Sequence, residues 1–119
     1  MLNPFLDKKK ILENKYAYCF YDAYPVSKGH SLVVPKNDVT EIFELNNKEY
    51  DGCFQLVKEL KFFLQNKFNP HGFNVGINCG EAAGQTIFVA HIHIIPRYKG
   101  DIQKPQGGVR NVIPGKGKY

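Results

Sequence analysis

The sequence predicts an α+β fold: an antiparallel sheet of about five strands made of two hairpins, one long helix on a face of it, and a short N-terminal helix. Three observations carry that prediction. Runs of alternating β-branched and aromatic residues come in two pairs, residues 16–21 with 31–34, and residues 73–78 with the stretch from Gly84 to Arg97. Between the pairs, Tyr50, Phe54, Val57, Leu60 or Lys61, and Leu64 recur at three- and four-residue spacing, the pattern of an amphipathic helix. With 119 residues, 43% of them hydrophobic, the chain can build one core and not two.

Taken in order, Asn3-Pro4-Phe5-Leu6 followed by Asp7-Lys8-Lys9-Lys10-Ile11-Leu12-Glu13-Asn14 has the form of a capped start to the short helix. Residues 16–21 read as a strand ending at Asp22. Pro25, Ser27 and Gly29 supply the turn, His30 opens the next strand, Ser31-Leu32-Val33-Val34, and Pro35 closes it. Ile42, Phe43 and Leu45 fit a short turn, and Asn46 or Asn47 caps the long helix, which stops at Asn69-Pro70-His71-Gly72 with His71 exposed. A third strand, residues 73–78, joins the last through Cys79-Gly80-Glu81-Ala82-Ala83-Gly84, whose backbone N–H groups can turn inward as an anion nest. Pro105, Gly107, Gly108, Pro114, Gly115 and Gly117 keep the tail irregular. The division expected is a domain over residues 1–101 and a tail, 102–119, packed on the domain or across a dimer.

Composition narrows the function. The net charge of +5 suits a polyanionic ligand, but Lys8-Lys9-Lys10, Lys116 and Lys118 put much of it near the ends, as a solvated face. With no helix-turn-helix, zinc-finger or aromatic RNA-binding motif, a small phosphate ligand is expected and nucleic acid is not. Three scattered cysteines, Cys19, Cys53 and Cys79, fit a reducing compartment. No signal peptide and no apolar run near the ~20 residues that span a bilayer is present, so a cytoplasmic, membrane-free protein is expected.

The chemistry gathers in Gly84-Gln85-Thr86-Ile87-Phe88-Val89-Ala90-His91-Ile92-His93-Ile94-Ile95-Pro96-Arg97. Strand alternation puts Val89, His91 and His93 on one face and Ala90, Ile92 and Ile94 on the other. Two adjacent imidazoles need partners or a ligand, since each unsatisfied buried polar group costs about 1–3 kcal/mol. The glycine, amide and hydroxyl just ahead of them are natural ligands for an anion. His-x-His is also a metal-binding pair, with His30 or Asp22 as a third ligand, although no carboxylate lies close along the strand.

This stretch resembles the signature of the histidine triad superfamily of nucleotide hydrolases and transferases: His-x-His-x-His and two apolar residues, after Gly-Gln-(Ser/Thr). His91 and His93 match the second and third histidines, and Val89 stands at the first. A second stretch, Asp22-Ala23-Tyr24-Pro25-Val26-Ser27-Lys28-Gly29-His30, matches the family's acidic residue, proline and Gly-His pair. The resemblance implies a histidine-triad-like fold in a homodimer and a purine nucleotide or dinucleotide as substrate. It implies hydrolysis at the α-phosphate through a nucleotidyl-histidine on His91, with neither metal nor cofactor. His93 would contact the phosphate and assist the leaving group, Gln85 and Thr86 would bind phosphate oxygens, and Asn78 the ribose-phosphate region. Asp22 would accept from ribose hydroxyls and His30 would lie near the site; a strand-end carboxylate and a turn residue remain equal readings of those two. Many relatives carry Cys-x-x-C where Asn3 and Leu6 stand, so no zinc is expected.

The run Pro96-Arg97-Tyr98-Lys99-Gly100-Asp101 is more similar to the dinucleoside polyphosphate-hydrolysing branch than to the phosphoramidase branch. Arg97, Lys99 and, if the tail folds back, Arg110 would then hold a long phosphate chain. The alternatives are a nucleotide-binding protein without turnover and a metal protein using His91 and His93. Under the enzyme reading, Val89→His is expected to raise activity.

Overall fold

The computed structural model describes residues 2–119. Five strands form one antiparallel sheet: β1 (Leu12–Glu13), β2 (Ala17–Tyr21), β3 (Ser31–Pro35), β4 (Gly72–Gly76) and β5 (Ile92–Arg97), in the order β1-β2-β3-β5-β4. Both predicted hairpins are present, β2 with β3 and β4 with β5, and the β3–β5 pairing joins them. One helix, α1 (Asn47–Phe68), covers a face.

The helix begins where its sequence dictates. Asn46 Oδ1 accepts from Glu49 N at 2.9 Å, and Glu49 Oε1 accepts in return from Asn46 N at 3.0 Å. This reciprocal cap satisfies two of the amides that a helix start leaves without partners. At the other end Asn69 adopts the left-handed conformation, φ 51°, and Pro70 follows. The buried stripe is Cys53, Leu56, Leu60 and Leu64, packed on Ala17, Cys19, Val33, Ile92 and Ile94 of the sheet. Tyr50, Phe54 and Val57, expected in the centre, lie partly buried beside it. The shift follows from fit: the small Cys53 takes the close contact, and the bulkier rings border it.

The opposite face carries a second apolar cluster of Tyr18, Phe20, Leu32 and Val34, closed by Phe5 and Val89. Phe5 reaches it because the N terminus does not form the predicted helix. Asn3 Oδ1 accepts from Phe5 N at 2.8 Å, Asn3 Nδ2 donates to Asp38 at 2.8 Å, and a turn carries the chain past Lys8. Ile11 N then donates to Cys19 O at 2.7 Å, and Leu12–Glu13 pair along β2. A short isolated helix with three adjacent lysines is marginal, and satisfying the outer edge of β2 outweighs it.

The last strand also differs from expectation. It starts at Ile92, and Ala90 N donates to Val39 O at 2.8 Å instead of joining the ladder. The connection from β4 therefore spans residues 77–91, with a 3-10 turn at Glu81–Ala83 between Gly80 (φ 93°) and Gly84 (φ 92°). His91 consequently stands at the mouth of the sheet. In the tail, a 3-10 turn at Gly108–Val112 packs on β4.

Candidate active site

The register of the sheet assembles the site. Leu32 of β3 lies opposite His93, which puts His30, two residues earlier, beside His93, and Asp22 closes β2 next to them. Among the predicted residues Asp22, Asn78, Gln85, Thr86, His91 and His93 all line one cleft of about 480 Å³. His30 is 3% exposed and sits behind His93.

Backbone contacts set the proton positions on His91 and His30, and His30 in turn sets that on His93. His91 Nδ1 lies 2.7 Å from Val89 O; a carbonyl only accepts, so Nδ1 carries the hydrogen and Nε2 keeps its lone pair. His30 Nδ1 accepts from Val26 N at 3.1 Å, which places the hydrogen of the neutral ring on Nε2. That Nε2–H faces His93 Nδ1 at 2.9 Å and Asp22 Oδ2 at 3.4 Å. His93 therefore accepts through Nδ1 and offers its Nε2–H as a donor. The His91 and His93 ring centres are 5.2 Å apart, and Phe5 packs edge-on against His91 at 5.4 Å.

The electrostatics disfavour the charged forms of His93 and His30. Burial, then the neighbouring His91 and His30 rings, push His93 down to about 4, with Asp22 opposing. His30 is lowered by burial, again against Asp22. At neutral pH His93 is a hydrogen-bond donor and not a proton source.

Asp22, His30 and His93 bring potential metal-ligand atoms within 4.8 Å of one another. The donor set does not fit a cation as it stands. A ligating histidine offers one lone pair and donates its other N–H, whereas His30 accepts at Nδ1 and needs its hydrogen on Nε2. At the N terminus the Asn3 amide is bonded to Asp38, and Leu6 is 65% exposed.

The remaining predicted residues divide. Thr86 and Asn78 are exposed in the cleft, and neither side chain bonds elsewhere among the described residues. Gln85 is 3% exposed; its Oε1 accepts from Gly80 N, and its Nε2 donates to Thr40 O and Ile87 O. Its amide thus braces the loop that carries Thr86. Arg97 is held by Asp101 at 2.7 and 2.9 Å and by Asn74 at 2.7 Å, about 13 Å along β5 from His93. Lys99 donates its backbone N–H to His71 Nδ1. Neither basic side chain lines the cleft. Phe5 and Lys8 do, where the sequence predicts only the capped entry to a short helix. The local signal was Asn3, whose side chain caps a turn at Phe5 in place of a helix.

Val89 is 4% exposed within the apolar cluster. The side chain of a first histidine is absent, yet the carbonyl at this position still orients His91.

Known proteins share this architecture. A model of the HIT domain matches residues 4–100. Protein hit of Bacillus subtilis is 39% identical over 93 residues, 77% of this chain and 64% of that protein. AP-4-A phosphorylase of Mycobacterium tuberculosis is 34% identical over 92 residues, 76% of this chain and 47% of the enzyme. The crystal structure of Plasmodium falciparum diadenosine triphosphate hydrolase, in complex with cyclomarin A, superposes with a TM-score of 0.74 at 32% identity. That superposition covers 80% of this chain and 65% of the hydrolase. The chain spans slightly under two thirds of the length of the first curated relatives it matches. With the domain match covering most of its length and the histidine cleft at the mouth of the sheet, this chain belongs to the HIT domain family.

Proposed function

We propose that the chain hydrolyses a purine nucleotide or dinucleotide at its α-phosphorus through a nucleotidyl-histidine on His91. The observation that carries this is the His91 Nδ1–H held on the Val89 carbonyl, which leaves a bare Nε2 beside the Nε2–H of His93. An imidazole fixed in this tautomer is an oriented nucleophile. The Nε2 lone pair forms a bond to phosphorus, the bond from phosphorus to the leaving group breaks, and the electron pair departs with that group. His93 Nε2–H and the Thr86 hydroxyl donate to the phosphoryl oxygens as charge develops. Water then attacks phosphorus, the N–P bond returns its electrons to His91, and the water proton goes to solvent.

Gln85 acts in this reading by holding the loop, Asn78 by reaching the ribose-phosphate region, and Asp22 by accepting from ribose hydroxyls. His30 is a positioning residue for His93. The similarity to an AP-4-A phosphorylase and a diadenosine triphosphate hydrolase supports a nucleotide substrate. The reading includes a homodimer, as the family resemblance implies; β4 is an edge strand with Val75 41% exposed.

Release of AMP from diadenosine polyphosphate and from adenosine phosphoramidate, in chelator, tests the proposal. Release by the wild type that His91→Ala abolishes is expected. One observation favours the rival: the apolar Val89 removes a polar side chain from the site, and nucleotide binding without release would mean a binding protein.

A further inference from the structure

We infer that Asn3 and Asp38 are positioning residues for the nucleophile: their hydrogen bond holds the N-terminal turn that presses Phe5 against the His91 ring. This rests on the hydrolase reading and says what keeps its nucleophile aimed. Neither Asn3 nor Asp38 lines the histidine cleft, so both act through other residues. Asn3 joins three segments. Its Oδ1 accepts from Phe5 N at 2.8 Å, and its Nδ2 donates to Asp38 Oδ1 at 2.8 Å and, more loosely at 3.4 Å, to the Tyr18 hydroxyl of β2. Phe5 is thereby fixed in a buried position, edge-on to His91 and 5.3 Å from the Phe20 ring.

The other end of that bond lies in the connection that follows β3, where three consecutive residues grip three walls of the site. Asp38 takes the N-terminal turn. Val39 O accepts from Ala90 N at 2.8 Å, next to the Val89 carbonyl that holds the His91 Nδ1–H. Thr40 O accepts from Gln85 Nε2 at 2.8 Å, and the Gln85 amide braces the loop that carries Thr86. Val39 and Thr40 do this with backbone carbonyls, which any residue supplies. Only Asp38 uses its side chain, so a substitution there separates the N-terminal wall from the other two.

The consequence for chemistry lies in the freedom of the His91 ring. An imidazole turns about its Cβ–Cγ bond unless it is held on more than one side. Val89 O holds Nδ1–H, and the Phe5 edge blocks the turn. A ring free to leave that carbonyl also populates the Nε2–H tautomer, whose Nε2 has no lone pair to offer phosphorus. Holding one tautomer in one orientation before substrate arrives lowers the barrier by removing that search.

The test reads the ring itself. The averaged 15N shifts of the His91 imidazole at pH 8, without substrate, give the ratio of its Nδ1–H to its Nε2–H tautomer. That ratio is expected to fall about fivefold in Asp38→Ala, the most an exposed pair commonly supplies, and at least as far in Asn3→Ala. It should recover in Asp38→Asn, whose amide oxygen still accepts from Asn3. Asn46→Ala, which loosens the start of α1 away from the cleft, should leave it at the wild-type value. Alongside, kcat for AMP release from diadenosine tetraphosphate should fall in Asp38→Ala and recover in Asp38→Asn. An unchanged ratio or an unchanged kcat in Asp38→Ala, or an equal change of ratio in Asn46→Ala, would overturn the positioning role and leave the hydrolase reading intact. No turnover by the wild type would overturn the hydrolase reading instead, and the tautomer ratio alone then decides the positioning role.

Discussion

Val89 acts through its backbone: its carbonyl holds the His91 Nδ1–H while its isopropyl group packs among Phe5, Tyr18, Phe20, Leu32 and Val34. Val89→His would force an imidazole into that dry cluster. It should cost about 1–3 kcal/mol of stability without raising kcat, readable by denaturant melts beside steady-state rates. This reverses what the sequence alone leads one to expect. His93 gives a pH dependence of known sign. In the unfolded chain its ring takes a proton near its ordinary value of 6.5, whereas the folded ring resists until about 4. Between those values the unfolded state binds more protons, so stability falls as pH drops through the window and this group contributes nothing above it. His30, also lowered, acts in the same direction. Stability measured from pH 8 to 4 should therefore slope less steeply in His93→Gln than in wild type.

At the scale of elements, periodicity made both hairpins and the helix legible, because each buries a face that its own residues specify. The two departures were set by partners far along the chain. Ile11 is drawn into the sheet by Cys19, and Ala90 is held out of it by Val39; no local pattern encodes either bond. Gly52 shows the same limit. In a helix, Gly→Ala ordinarily gains about 1 kcal/mol, but a Cβ here would meet Tyr16 Cβ at 2.7 Å and Cγ at 2.8 Å. Gly52→Ala should accordingly lower the melting temperature, and a rise would show that Tyr16 yields freely. Asn46→Ala removes the helix cap and should cost about 1 kcal/mol, measured the same way.

Over the whole molecule, the site is a meeting of segments that are remote in sequence. The His91–His93 pair and the Gly-His stretch could be recognised because each keeps its motif within a few residues. Their joining through His30 and His93 came from the β3–β5 register. Asn3 marks a turn at Phe5, but that this turn brings Phe5 and Lys8 to the cleft is set by the folded molecule, whose cleft also draws on residues as distant as His93. Likewise Arg97 looked free until Asp101 and Asn74 closed on it. The central claim is that His91 Nε2 attacks phosphorus. Rapid quenching of a turnover mixture with α-phosphate-labelled diadenosine tetraphosphate, followed by peptide mapping, tests it most directly. The account predicts label on His91, in an acid-labile bond, that builds within the first turnover and is absent from His91→Ala. Turnover that proceeds with no label on His91, or with label on another residue, would contradict it.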